Sequence, residues 1–307
     1  MRITTADLKI GLALGSGSSR GWSHIGIINA LTELGIEPDV ICGTSVGAMV
    51  GGAYITGNLE KLENWSLSVT KFDVARFLKF NASLTGFVNV NRFHQFLNDN
   101  VADDDAVIEH QSRIFAAIST DLETGREVWL TSGSLLQAIW ASMSFPGLFP
   151  AIRFDDRWLV DGGLVNPVPV SACRALGADI VIAVNLNTNI SAIRPDKSKG
   201  IKLRNSHGFA NRVSELVKEY AKISIFNPKD DQQPPSMLDA IADSVKITQD
   251  RITRSRMAGD PPEILLSPRL SDISLLELYR AEEAIAEGYQ CVQKMRSEIE
   301  DLLGSEF

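Results

Sequence analysis

Cys42-Gly43-Thr44-Ser45-Val46-Gly47-Ala48-Met49 is the stretch of this sequence that says most about its structure. It follows the strand-like run at 39–41 and leads into helix-forming residues that extend to Tyr54. A strand that turns into a helix through Gly-x-Ser-x-Gly needs both glycines, because the two backbones pass too closely for larger residues. The pattern predicts that Ser45 stands exposed on a tight turn, in the position of a nucleophile. The alternative is that these small residues only pack a strand against a helix.

A second glycine-rich turn, Gly15-Ser16-Gly17-Ser18-Ser19-Arg20-Gly21, follows a buried strand expected at Lys9 to Leu14. The segment from Trp22 to Leu34 has apolar residues at helical spacing, so the free amides of the turn lie near a helix N-terminus. Such amides form a site for an anion. Three anions compete for it: a dinucleotide pyrophosphate, the phosphates of a nucleoside triphosphate, and the oxyanion of an acyl-transfer intermediate.

The two nucleotide alternatives fit this loop less well than the oxyanion does. A P-loop ends in Gly-Lys-Ser/Thr, whereas this loop ends in Arg20-Gly21-Trp22. The dinucleotide pattern Gly-x-Gly-x-x-Gly finds its last glycine one residue late, although Glu37 and Asp39 lie near the place of a ribose-binding acid. The oxyanion interpretation is the one that uses both glycine turns together. A dinucleotide-binding enzyme stays open as an alternative.

The third informative segment is Trp158-Leu159-Val160-Asp161-Gly162-Gly163. An apolar strand ends here in an aspartate on a glycine turn, which places a carboxylate at the edge of a sheet. A partner for a nucleophile on another loop needs this position. The alternative is a plain hairpin turn, for which Asp-Gly-Gly is equally suitable.

Taken in order, these three segments resemble the motifs of the patatin-like phospholipases. The loop at 15–21 is similar to their oxyanion loop ending in Arg-Gly, the elbow at 43–47 to their nucleophile elbow, and Asp161-Gly162-Gly163 to their Asp-Gly-Gly/Ala. The likeness covers roughly residues 8 to 187 and includes two linking stretches, Ser144–Pro150 and Asn166–Pro169. It is greatest toward stand-alone bacterial members related to the catalytic domain of neuropathy target esterase.

The resemblance implies a serine acyl hydrolase that acts on phospholipid or lysophospholipid esters without a metal or a cofactor. Ser45 would be the nucleophile and Asp161 the general base of a Ser-Asp dyad. The loop would supply the oxyanion hole and contacts to substrate, through Gly17, Ser18, Ser19, Arg20 and Gly21. The glycines of the elbow and of the turn after the base would be structural: Gly43, Gly47, Gly162 and Gly163. Ser16 and Ser18 stand where many members of the family have glycine.

Two properties of these groups can be anticipated from physical chemistry. A free aspartate has a pKa of about 3.9 and is a weak base, so we expect burial to raise the pKa of Asp161. We expect Arg20 to brace the loop through a carboxylate partner, which is easy to find in an acidic protein. Contact between Arg20 and a phosphate headgroup is the alternative.

The sequence leaves other mechanisms and roles open beside the dyad. The α/β-hydrolases use serine, aspartate and histidine in that order along the chain, and His207 follows Asp161 here. His24, near the start of the first helix, is expected to support the loop. A regulatory or scaffolding protein that keeps a hydrolase fold is a further alternative, because fold does not determine function.

Composition excludes several classes of protein. The net charge of -8 over 307 residues argues against nucleic acid as a partner. Cys42, Cys173 and Cys291 are widely spaced within apolar patterns, which favours buried thiols over disulfides. The N-terminal residues lack the pattern of a secretory signal, and no apolar run reaches the length of a membrane span. We expect a cytoplasmic protein that meets lipid only by peripheral contact at the inner membrane face.

Alternating strands and helices predict a three-layer α/β/α patatin-like fold, with a mostly parallel central sheet covered by helices and a C-terminal helical extension. We expect a catalytic core at 8–187, a linker or flap at 188–204, and a mostly helical region at 205–307 packed on the core. Strands are expected at 113–119, 127–130, 178–185 and 263–267.

Helices are expected at 135–143, 206–226 and 236–257, and as one long amphipathic helix at 275–303. The aromatic-rich segment at 58–100 is expected to form either a lid or acyl-chain wall, or a helical pair that covers the core.

Overall fold

The computed structural model describes residues 8–77, 90–187 and 237–303. Its centre is a sheet with eight described strands: β1 (Ile10–Leu14), β2 (Val40–Thr44), β3 (Ile114–Asp121), β4 (Glu127–Leu130), β5 (Ile152–Phe154), β6 (Arg157–Asp161), β7 (Ile180–Val184) and β8 (Ile264–Leu266). The order is β5-β6-β3-β2-β1-β7-β8, and β4 pairs with β3. Strands β3, β2, β1, β7 and β8 run parallel, whereas β4, β5 and β6 pair antiparallel. The expected mostly parallel sheet is confirmed.

The described helices are α1 (Ser23–Glu33), α2 (Val46–Ile55), α3 (Leu59–Ser68), α4 (Lys71–Phe77), α5 (Val90–Asn100), α6 (Leu135–Met143), α7 (Val170–Ala175), α8 (Met237–Gly259), α9 (Ala281–Lys294) and α10 (Arg296–Leu303). Short 3₁₀ turns lie at Ser18–Trp22, Ile108–His110, Gly162–Leu164 and Leu278–Arg280.

The two faces of the sheet are both buried, which makes the fold three-layered. Side chains alternate along each strand, so Leu12 and Leu14 of β1 join one apolar cluster and Ala13 joins another. The larger cluster includes apolar side chains of α1, α2, α6 and α9, and the smaller one those of α7. The α/β/α class predicted from the alternating pattern is confirmed.

The chain forms two compact units, one with residues 1–189 and 249–307 and the other with residues 190–248. The larger unit contains the whole sheet. The described part of the smaller unit is the first half of α8. The expected linker at 188–204 and the expected helix at 206–226 lie outside the described residues.

The C-terminal region contributes a strand to the central sheet as well as helices. Its strand β8 pairs in parallel with β7, with Ile182 beside Ile264 and Val184 beside Leu266. The strand expected at 263–267 is therefore confirmed as an edge of the central sheet.

The expectation of a single long helix at 275–303 is wrong. The region contains the 3₁₀ turn at 278–280, then α9, and α10 follows after a break at Met295. Arg280 bonds to Asp272 and Glu283, which holds the chain in a turn before α9 begins. Acidic residues in the first turn of α9 favour a helix start at this point, because they interact with the helix dipole.

The segment at 58–100 contributes to the core through its described parts. Leu62 of α3 and Phe93, Phe96 and Leu97 of α5 are buried in the larger cluster. Phe72 of α4 is 73% exposed. The described helices therefore cover the core, as one of the two expectations stated. Residues 78–89 lie outside the described residues.

Within the described ranges, no helix has both the length and the apolar composition that crossing a membrane would require.

Candidate active site

The turn between β2 and α2 holds Ser45 in a strained conformation. Ser45 has a φ of 58°, in the left-handed region that residues with a side chain rarely adopt. A Cβ on Gly43 would lie 2.4 Å from backbone atoms of Ala48, and one on Gly47 would lie 2.1 Å from the Leu14 carbonyl oxygen. Both glycines are therefore required for the turn to close. The side chain of Ser45 is half-buried, where we expected it to be exposed.

A second serine fixes the backbone of this elbow. The Ser45 amide donates to Oγ of Ser142 over 2.8 Å, and this hydroxyl donates to the Ile118 carbonyl over 2.5 Å. Ser142 lies on α6 and is fully buried. The elbow is thus tied to both α6 and β3.

Ser45 and Asp161 are brought together from distant parts of the chain. Ser45 Oγ donates to Oδ2 of Asp161 over 2.6 Å. The carboxylate lies at the end of β6, and Asp161 is only 1% exposed. Its Oδ1 accepts from the Gly163 amide over 2.7 Å, and Thr120 Oγ1 donates to its carbonyl over 2.8 Å. Each oxygen of the carboxylate therefore has one donor, and its backbone is held in place.

Burial gives Asp161 the basicity that an exposed aspartate lacks. Loss of water around the carboxylate raises its pKa from 3.8 to about 6, although the bonds from Ser45 and Gly163 oppose the shift. The ionised form therefore remains dominant at neutral pH, yet it binds a proton much more readily than an exposed carboxylate.

The glycine-rich loop lies directly against the elbow. A Cβ on Gly21 would lie 2.3 Å from the side chain of Val46, the residue after Ser45. The Cβ position of Gly47 is 2.9 Å from the Gly15 carbonyl oxygen. The glycine-rich loop after β1 and the elbow after β2 therefore form one site.

Most amides of this loop already have partners. The amides of Gly15, Ser16, Ser19 and Arg20 donate to the carbonyls of Val184, Pro167, Leu275 and Gly17, respectively. From 15 to 20, the amides of Gly17 and Ser18 have no acceptor among the residues that the structure describes. These two remain available for an anion, whereas the amide of Ser19, also expected to bind the oxyanion, is engaged.

Serine at position 18 is accommodated by a bond to the C-terminal region. Ser18 has a φ of 51°, where glycine would be the easier residue. The hydroxyls of Ser18 and Ser19 both donate to the Leu275 carbonyl, which lies more than 250 residues along the chain. The side chains thus fasten the loop, and the Ser18 amide is left free.

Arg20 braces the loop as expected, but through neutral oxygens. Its guanidinium donates to the carbonyls of Gly17 and Leu186 and to Oδ1 of Asn187. The expectation of a carboxylate partner is wrong, since no carboxylate of the described residues bonds to it. The planar fork of five donors can be satisfied by carbonyl oxygens around it, and burial lowers its pKa to about 10.

His24 supports the same loop, as expected, and it does so as a neutral group. Its Nε2 lies 2.8 Å from the Gly15 carbonyl, so this nitrogen carries the proton. Complete burial lowers its pKa to about 4. A histidine that donates to a backbone carbonyl holds the loop and does not accept a proton through that nitrogen.

Glu37 and Asp39, the two candidates for a ribose-binding acid, lie at the end of the sheet opposite the glycine-rich loop. Asp39 Oδ2 accepts from the amide of Ile10, the first residue of β1, whereas the glycine-rich loop follows the last. Glu37 pairs with Arg113 over 3.0 Å. Neither acid can therefore meet a ribose held by the loop.

Sequence reasoning missed four residues that shape the site: Ser142, Asn187, Gln249 and Leu275. Asn187 follows the buried strand β7, so its place at the end of a parallel strand was the one available signal. Leu275 acts through its carbonyl, which no motif reveals. The thiols of Cys42, Cys173 and Cys291 are buried and free, as predicted.

The chain is similar to several known proteins. A family model described as patatin-like phospholipase matches residues 12–174. A protein of the NTE family from Mycobacterium tuberculosis is 29% identical, over 91% of this chain and 89% of that protein. A lysophospholipase of Pyricularia oryzae is 30% identical, over 94% of this chain and 19% of that protein. The neuropathy target esterase of Drosophila melanogaster is 32% identical, over 59% of this chain and 13% of that protein. The chain therefore belongs to the patatin-like phospholipase family of lipid hydrolases.

Proposed function

We propose that this protein hydrolyses acyl esters of phospholipids or lysophospholipids through a covalent acyl-enzyme on Ser45. The single observation that carries the proposal is the 2.6 Å hydrogen bond from Ser45 Oγ to the buried carboxylate of Asp161. A strained serine with its hydroxyl aimed at a desolvated base is the arrangement that nucleophilic catalysis needs.

In the first step, Ser45 Oγ attacks the ester carbonyl carbon while its proton moves to Oδ2 of Asp161. The short hydrogen bond allows proton transfer to accompany attack, so a free serine alkoxide never has to form. The pKa of about 6 makes Asp161 a better acceptor than an exposed aspartate. Collapse of the tetrahedral intermediate breaks the ester bond, and the leaving alcohol takes the proton from Asp161.

The negative charge of the intermediate is stabilised by the free amides of Gly17 and Ser18. Both lie on the loop that packs against the elbow, and neither has another acceptor among the described residues. One such donor typically lowers the barrier by about 2.7–4 kcal/mol. The bracing of this loop by Arg20, His24 and Leu275 keeps the donors in position, so the loop matters as much as the nucleophile.

In the second step, water attacks the acyl-enzyme with Asp161 as the base. The proton of the water moves to Asp161, the acyl C–O bond to Ser45 breaks, and Ser45 recovers its proton. The dyad is then restored, and no other group is consumed.

The names of two relatives support this substrate class. They are named as a lysophospholipase and as neuropathy target esterase, and they match over 94% and 59% of this chain. We propose that the substrate is presented at a membrane surface on the cytoplasmic side, which the protein meets by peripheral contact.

We also propose that residues 8–187 are the catalytic core and that the described residues from 249 onward complete it. Leu275 accepts bonds from the oxyanion loop, and β8 extends the sheet.

Labelling with a fluorophosphonate probe, followed by mass mapping of the modified residue, tests the proposal. We expect modification at Ser45 and hydrolysis of lysophospholipid by the wild-type protein. Ser45→Ala should lose both. Modification elsewhere, or undiminished hydrolysis by Ser45→Ala, would contradict the mechanism.

A further inference from the structure

A buried amide at the end of β7 connects the oxyanion loop with α8. Asn187 is fully buried, and its Oδ1 accepts from Nη2 of Arg20 over 3.0 Å. Its Nδ2 donates toward the Ser16 carbonyl at 3.4 Å and toward Oε1 of Gln249 at 3.3 Å. One side chain thus holds the loop at two points and holds Gln249 at a third.

Gln249, on α8, packs against the turn that carries the proposed base. It is 7% exposed, and its Nε2 lies 2.4 Å from the place that a Cβ on Gly163 would take. Oδ1 of Asp161 lies 2.9 Å from the same point, and Oγ of Ser16 lies 3.3 Å from it. The amide of Gln249, the carboxylate of Asp161 and the hydroxyl of Ser16 therefore surround one small volume.

We propose that Gln249 is a positioning residue that, through Asn187, holds the oxyanion loop and the Asp161 turn at a fixed distance from each other. The inference rests on the proposed function, because the two elements it joins are the ones that stabilise the oxyanion and accept the proton. Gln249 lies beyond the segment that the family model matches, so the motif-bearing part of the chain does not contain it.

The loop also bonds to the chain just beyond this turn, where the Ser16 amide donates to the Pro167 carbonyl over 2.9 Å. Arg20 and Ser16 belong to the loop that follows β1, whereas Asp161 and Gly163 belong to the turn that follows β6, on the far side of β2 and β3. A neutral amide pair can join them without placing a new charge beside the carboxylate. In each side-chain amide the NH2 group can donate a hydrogen bond while the oxygen accepts one.

The glycine at position 163 has a role in this arrangement. The Cβ of an alanine there would lie 2.4 Å from Nε2 of Gln249 and 2.9 Å from Oδ1 of Asp161, so it would displace the end of the Gln249 side chain and would also press on the carboxylate. Gly163→Ala should therefore slow the reaction at least as much as the removal of Gln249 from the turn does.

The experiment compares Gln249→Ala, Gly163→Ala and the double variant, with kcat and KM measured on a soluble short-chain ester. We expect each single variant to lower kcat by on the order of 10-fold with KM within about twofold, because displaced catalytic groups slow the chemical step more than binding. The double variant should be no slower than Gly163→Ala, since Gly163→Ala has already removed the contact with Gln249. Fluorophosphonate labelling of Ser45 should slow in parallel.

Thr253→Val is the matched control. Thr253 lies one turn further along α8, is buried, and its hydroxyl has no partner among the described residues. We expect this variant to keep the wild-type kcat. Circular dichroism of every variant reports whether the fold is intact, and if Gln249→Ala fails to fold, Gln249→Met, which keeps the length of the side chain without its amide, takes its place.

The outcomes separate the inference from the proposed function. A kcat within twofold of wild type in Gln249→Ala or in folded Gly163→Ala, with Ser45→Ala inactive, would overturn the role of Gln249 alone. A multiplicative loss in the double variant would also overturn it. Hydrolysis that does not depend on Ser45 would overturn both.

Discussion

Ser45 Oγ and Asp161 Oδ2 lie 2.6 Å apart although 116 residues separate them in the chain. Ser45 is held on the elbow after β2, and Asp161 at the end of β6, on the other side of β3. The sheet therefore sets the distance between the proposed nucleophile and the proposed base. Changes that disturb the turns at these strand ends should harm activity before they harm the fold.

The elbow glycines provide the first test of this geometry. In Gly47→Ala the new Cβ would lie 2.1 Å from the Leu14 carbonyl oxygen, a backbone atom that cannot move freely. Overpacking of this kind costs about 1–3 kcal/mol in unfolding free energy, and the displaced elbow should lose most of its esterase activity. Chemical denaturation and ester hydrolysis measure the two effects.

Gly259→Ala is the matched control for that substitution. No described atom lies within 4 Å of the place its Cβ would take, at the end of α8. We expect unchanged activity and a stability change between zero and a gain of about 1 kcal/mol. An equal loss of activity in both variants would show that the close approach at Gly47 is not the cause.

Substitution of Arg20 tests whether it braces the loop. Arg20→Lys keeps a charge but replaces the planar fork, so it cannot reach the carbonyls of Gly17 and Leu186 and the amide of Asn187 together. We expect kcat to fall by on the order of 10²-fold, because the oxyanion donors lose their support. A headgroup-binding role would instead raise KM for phospholipid and spare a neutral short-chain ester.

The pKa of Asp161 predicts how activity depends on pH. The base must be ionised, so kcat/KM should fall as the pH drops through about 6, well above the 3.8 of an ordinary aspartate. Measurement of kcat/KM from pH 4 to 9, with a substrate that does not ionise, shows this decline. A decline of kcat/KM centred near pH 4 would mean that the carboxylate is hydrated during catalysis.

The same shift predicts an effect on stability. A carboxyl whose pKa is raised in the folded state contributes stability at low pH, and this contribution is lost as the pH rises from 3.8 through about 6. Asp161→Asn removes the cost of the buried charge. We expect the variant to gain up to about 3 kcal/mol relative to wild type at pH 8 and to gain nothing near pH 4. Denaturant unfolding at the two pH values measures the difference, and equal values would contradict a buried ionised carboxylate.

The positions of Ser45 and Asp161 on turns at strand ends, and the central sheet, could be predicted because local sequence encodes them. Gly-x-Ser-x-Gly demands a particular turn at Ser45, and an unbroken apolar run demands a buried strand at β7. The contacts that complete the site are not encoded in this way. Leu275 acts through its backbone, and Gln249 reaches Asn187 only because the fold places α8 there. The break at Met295 was missed for a similar reason, since the helical pattern of side chains continues across it.

The expectation of a carboxylate partner for Arg20 was wrong for another reason. Net charge describes the surface, whereas Arg20 lies in the interior, among the carbonyls at the ends of parallel strands. Local geometry therefore outweighs the overall acidity of the protein.

The central claim is that Asp161 is the base for Ser45, and comparison of Asp161→Asn with His207→Ala tests it most directly. His207 lies outside the described residues, and an α/β-hydrolase triad would require it to contact the serine. We predict that Asp161→Asn lowers kcat by ~10²–10⁴-fold with its fold intact by circular dichroism, and that His207→Ala keeps most of the wild-type rate. A near-complete loss of activity in a folded His207→Ala variant, at least as large as the loss in Asp161→Asn, would contradict the dyad.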